Sequence, residues 1–108
     1  MKRGAPQPYA AGRTIMTEGE KGGYMYVVLS GSVAVLVKSV LVERIGEGGV
    51  LGEMALVDQA PRAASAVTES DATLLPINRD DFAALVKSDP SFGIALLRSM
   101  ALRLGRGR

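Results

Sequence analysis

Glu53 and Arg62 are the two side chains of this sequence whose types and setting suit joint chemistry. They lie in Gly48-Gly49-Val50-Leu51-Gly52-Glu53-Met54-Ala55-Leu56-Val57 and the stretch that follows, Asp58-Gln59-Ala60-Pro61-Arg62-Ala63-Ala64-Ser65. This is a glycine-rich approach to one acid and, nine positions later, one base. Glu53 to Leu56 fits a single helical turn after Gly52. The first N–H groups of so short a helix have no partner inside it, and such a helix start attracts an anion. A guanidinium beside those N–H groups would hold one phosphate through its planar fork. The carboxylate would then accept from a hydroxyl of the same ligand, and by functional group the ligand is a ribose phosphate. The spacing alone also fits a blander reading, in which a surface Glu and Arg nine positions apart are unrelated.

The rest of the inventory removes most competing chemistry. The 108 residues contain no cysteine and no histidine. That excludes disulfides, zinc sites built on thiolate or imidazole, histidine bases and cysteine nucleophiles. We therefore expect no catalytic residue, no metal and no cofactor. Thirteen Lys+Arg stand against 11 Asp+Glu, a balance too even to imply nucleic acid as a partner of this chain by itself. No apolar run approaches the roughly 18 residues of a membrane span, and Met1-Lys2-Arg3 is not followed by the apolar region of a signal peptide. A cytoplasmic domain is the expectation.

The elements that must position Glu53 and Arg62 can be read from periodicity. The opening MKRGAPQP lacks it and reads as a leader over residues 1–8, with the folded part starting near Tyr9. From there to Ile77 short β-rich runs follow one another: Thr14–Thr17, Met25–Leu29, Val33–Val37, Val40–Ile45, Ala64–Thr68 and Ala72–Ile77. Gly and polar residues punctuate them, among these Gly12, Glu18-Gly19, Gly22-Gly23 and Ser30-Gly31. The second face of these runs is only partly polar, which suits a closed or double-sheet roll better than an open sheet. The expected fold is mainly β: a double-stranded β-helix, or jelly-roll, over 9–77, with a short cassette helix and C-terminal α-helices. Asn78 or Asp80 caps a short helix over 78–88. Asp89-Pro90 then restarts the chain as a cap and an N1 proline. The final helix, 90–104, carries Phe92, Leu96 and Met100 in one stripe and Ile94, Leu97 and Ala101 in a second. Both stripes fit a core, yet together they exceed one contact face and leave surface for a lid, self-association or a partner domain.

Gly52-Glu53-Met54-Ala55-Leu56 with Pro61-Arg62-Ala63-Ala64-Ser65 resembles the phosphate-binding cassette of the cyclic-nucleotide-binding domain family, including the spacing from Glu to Arg. Upstream, Ala11-Gly12-Arg13-Thr14-Ile15, Glu18-Gly19 and Met25 to Val33 resemble that family's first three strands and their turns. The resemblance implies that Glu53 accepts from a ribose 2′-hydroxyl and that Arg62 pairs with a cyclic phosphate. It also implies that Gly52, Met54, Ala55, Ala63 and Ala64 line the pocket, with Ala63 giving a backbone N–H to the phosphate. Family members with Thr or Ser after the arginine tend to bind the guanine amino group, so Ala63 points to cyclic AMP, with cyclic GMP as the alternative ligand. The family's last helix folds over the base. By position Leu97, Met100, Ala101, Leu102 or Arg103 would reach it, and Arg103 is the sharpest choice because a guanidinium can stack on a ring. Arg103 also fits a solvated arginine at a helix C-terminus.

The sequence departs from the family at Leu51 and Tyr9, where Phe is common, and lacks the helices that usually precede the first strand. That suggests a truncated piece or a minimal domain. The implied role is a sensor whose occupancy repositions the final helix. The alternative is the same roll with a non-functional pocket, serving interaction or oligomerisation. A cupin-type metal enzyme is disfavoured by the lack of histidine, and a helix-turn-helix has no room within these residues.

Overall fold

The computed structural model describes residues 5–56 and 61–95, and within them eight strands pair, all antiparallel, into two sheets. The strands are β1 (Gln7–Tyr9), β2 (Thr14–Met16), β3 (Met25–Ser30), β4 (Val33–Val37), β5 (Val40–Ile45), β6 (Val50–Leu51), β7 (Ser65–Thr68) and β8 (Ala72–Ile77). One sheet runs β1-β8-β3-β6 and the other β2-β7-β4-β5. Consecutive strands mostly sit in different sheets, as the roll expected from the sequence requires.

The near-continuous apolar runs of β3 and β8 follow from a sheet covered on both faces, because alternate side chains of a strand point to opposite sides. Val28, Leu51 and Leu74 meet Val33, Val35, Ile45 and Ala66 of the other sheet in one buried cluster. The intervening positions serve a second cluster of Met25, Leu56 and Ile77, against which Val27, Val50, Leu75, Phe82, Leu85 and Phe92 pack. Pro76 is tolerated within β8 because pairing with β1 stops at Leu74, so no partner on that edge needs its missing N–H.

The helical cap over the second cluster starts where Asn78 ends β8. Asn78 Oδ1 accepts from the Asp81 N–H at 2.8 Å, and Asp81 Oδ2 accepts from the Asn78 N–H at 3.4 Å. This capping box fixes the start of α1 (Arg79–Ser88) and selects Asn78 over Asp80 as the cap. Asp89 closes α1 by donating its N–H to Leu85 O. Residues 90–95 are helical again, beginning at Pro90 as expected. The rings of Phe82 and Phe92 lie 6.3 Å apart across the break.

The structure differs from the sequence reading in places with clear causes. Pairing with β8 begins at Gln7, so the last two residues of the expected 1–8 leader belong to a strand. The two-residue strand β6 was not expected, being too short to show a period of its own. Turn chemistry is also atypical between β4 and β5. Lys38 and Ser39 both take positive φ, 50° and 66°, the pairing of signs a tight primed hairpin needs and that Asn-Gly adopts with less strain. The Lys38 N–H is held by Glu18 Oε1 at 2.9 Å. Thr68, buried among apolar neighbours, uses its hydroxyl to bind the β1–β2 turn: it donates to Ala10 O at 2.7 Å and accepts from the Arg13 N–H at 2.9 Å. Among the described residues, no helix is long and apolar enough to cross a membrane.

Candidate functional site

Glu53 opens a four-residue 3₁₀ turn, Glu53–Leu56, as the expected single helical turn. Its neighbours hold it from both sides. Leu51 is sunk into the cluster between the sheets, and Leu56 into the cluster beneath the helices. Gly52 makes the sharp change of direction between them with φ of +72°, a conformation that suits glycine. The result is that Glu53 as a residue is only 3% exposed. A charged group so placed has to be matched by polar neighbours or by a ligand hydroxyl.

Arg62 is fixed at both ends of its length. Its main chain pairs with the β2–β3 loop: the Arg62 N–H donates to Glu20 O at 2.8 Å, and the Gly19 N–H donates to Arg62 O at 2.9 Å. Its guanidinium reaches the far end of the same loop, where Nη2 donates to Tyr24 O at 2.8 Å. Nη1 donates to Gly52 O at 3.3 Å. The cation therefore touches the peptide unit that leads into Glu53, and the acid and base singled out in the sequence come together at Gly52. Among the described residues these bonds use two of the guanidinium's five N–H groups, and its planar fork suits an anion. The loop is tied down further along, where the Glu18 N–H donates to Ser65 Oγ at 2.9 Å.

Tyr26 stands near this cation. Burial pushes its phenol above the ordinary tyrosine range, Tyr9 adds to the rise, the Arg62 charge opposes it, and Tyr24 adds further. Tyr24 and Tyr26 have ring centroids 6.5 Å apart.

The remaining residues implied by the resemblance are spread around this corner. Met54 is 43% exposed, the Ala55 backbone lies in the 3₁₀ turn, Ala63 is exposed, and Ala64 packs against the inter-sheet cluster. Arg103, with Leu97, Met100, Ala101 and Leu102, lies outside the described residues, as does the 96–104 portion of the expected lid helix. Sequence reasoning missed Gly19, Glu20 and Tyr24 as the frame of Arg62, because all three act through main-chain atoms. The adjacent glycines were the only signal, and they read equally well as punctuation.

The cyclic nucleotide-binding domain model matches residues 6–89 of the chain. A CRP-like cAMP-activated global transcriptional regulator of Mycobacterium tuberculosis, from strains CDC 1551 / Oshkosh and ATCC 25618 / H37Rv, is 29% identical over 106 residues. That alignment covers 94% of this chain and 47% of the regulator, so the chain spans about half the length of the curated relatives it matches. Among solved structures, the Thermus thermophilus catabolite activator protein superposes with a TM-score of 0.85 at 31% identity, over 96% of this chain and 51% of the other. A structure reported under "A cyclic-GMP-dependent signalling pathway regulates bacterial phytopathogenesis" gives a TM-score of 0.81 at 29% identity, over 95% of this chain and 85% of that one.

Proposed function

The chain belongs to the cyclic nucleotide-binding domain family, and from that premise we propose that it is a sensor of a cyclic mononucleotide, cyclic AMP first, with no catalytic step of its own. Arg62 pairs with the cyclic phosphate, and Glu53 accepts from the ribose 2′-hydroxyl. Gly52, Met54, Ala55, Ala63 and Ala64 complete the pocket, and Arg103 stacks on the base. The observation that carries this reading is the Arg62 guanidinium held beside the peptide unit of Gly52 and Glu53. A 3₁₀ turn of four residues has too small a dipole to hold an anion by itself, so the charge of Arg62 is the dominant attraction. Ala63 in place of a hydroxyl residue favours adenine over guanine.

Occupancy repositions the helices. Leu56, at the end of the turn that carries Glu53, shares its cluster with Phe82, Leu85 and Phe92 of the cap. A ligand that prefers one setting of this turn therefore biases the helices through direct contact.

Calorimetric titration with cyclic AMP and cyclic GMP side by side tests the reading. Binding of cyclic AMP is expected, weakened by about 2–4 kcal/mol in Arg62→Ala through loss of a charge-assisted bidentate contact. Glu53→Gln costs about 1–3 kcal/mol and blurs discrimination against 2′-deoxy analogues. No heat with either nucleotide at millimolar concentration overturns the assignment.

A further inference from the structure

Gly22 and Gly23 are adjacent, both lie in the β2–β3 loop, and neither has the positive φ that would demand glycine. Their surroundings differ. A Cβ built on Gly23 meets nothing within 4 Å, whereas one built on Gly22 falls within 2.6 Å of Arg62 Cζ and Nε. The guanidinium thus passes directly over the Cα of Gly22 on its way to the Tyr24 carbonyl. Gly52 bounds the other side, since a Cβ there lies 2.8 Å from Arg62 Nη1.

We propose that Gly22 is a positioning residue for the anion-binding arginine: the absence of a side chain at position 22 leaves the slot in which the Arg62 guanidinium lies between the Tyr24 and Gly52 carbonyls. This rests on the reading of Arg62 as the phosphate partner. The slot sets the direction of the planar fork, so a group that fills the slot turns the fork away from the phosphate while leaving the charge on the molecule. The effect grows with size. A methyl group moves only the far end of a flexible side chain, whereas a β-branched group denies the position altogether.

The test compares Gly22→Ala, Gly22→Val and Gly23→Val in the full chain with two readouts. The first needs no ligand: the Arg62 Nε–H resonance, assigned by its loss in Arg62→Lys, is expected to move in Gly22→Val and to stay in place in Gly23→Val. The second is the dissociation constant for cyclic AMP, expected to rise more than about tenfold in Gly22→Val, by a smaller factor in Gly22→Ala and less than about twofold in Gly23→Val. Should Gly22→Val fail to fold, Gly22→Ala carries the test through the same two readouts. An unmoved resonance, or equal losses at positions 22 and 23, overturns the proposal. If the resonance moves in Gly22→Val while the wild-type protein binds no nucleotide, the slot stands and the assigned ligand falls, so the two failures are told apart.

Discussion

The two apolar clusters divide the labour of the molecule unequally. Among the described residues, the buried members of the one between the sheets all belong to strands, with contributions from β3, β4, β5, β6, β7 and β8. The one beneath the helices joins a single sheet face to Leu56 of the 3₁₀ turn and to Phe82, Leu85 and Phe92. Both hold the same sheet, yet only the second includes a residue of the turn that presents Glu53 together with residues of the cap. Stability and ligand response should therefore respond differently to damage in each.

The largest effect is expected from Leu74→Ala. Leu74 is fully buried between the sheets, and its truncation should cost about 3 kcal/mol in urea unfolding, with nucleotide affinity held within about twofold where the variant is still folded. A parallel collapse of affinity would erase the distinction between the clusters. Leu56→Ala should cost about 2 kcal/mol of stability, since its cluster is smaller and the site can relax. It should also weaken cyclic AMP binding about tenfold, because the turn loses its inner anchor. Unchanged binding in Leu56→Ala would show that the helices do not sense the turn.

Asn78→Ala removes the side-chain half of the capping box. We expect about 1 kcal/mol of lost stability by thermal unfolding, with faster amide exchange confined to α1 and the cap. The smallest effect concerns Tyr26, whose phenol is raised chiefly by burial. A raised folded-state value means the folded protein holds its proton more tightly, so the associated stability is intact below about pH 10 and is lost as pH climbs through the folded value. Tyr26→Phe should abolish that portion of the alkaline decline and leave the rest of the pH profile in place.

Much of this architecture was legible because its carriers are side chains with a period. β4, β5 and β8 start and end where valine-rich or apolar runs do, and the Asp89-Pro90 restart is written in residue types. The acid and base at positions 53 and 62 were legible through their setting. β1 and β6 were not, since three and two residues carry no period and owe their pairing to β8 and β3. The frame around Arg62 was hidden for a different reason. Its bonds end on the carbonyls of Glu20, Tyr24 and Gly52 and on the amide of Gly19, groups that nearly every residue possesses.

That frame behaves as a caliper. One jaw closes on the main chain of Arg62 at Gly19 and Glu20, the other on its guanidinium at Tyr24, and the few residues between set the gap to the reach of one arginine side chain. Swapping exposed side chains along this arc leaves the gap alone. Adding or deleting a single residue does not, so its length is the quantity the binding corner can least tolerate having changed.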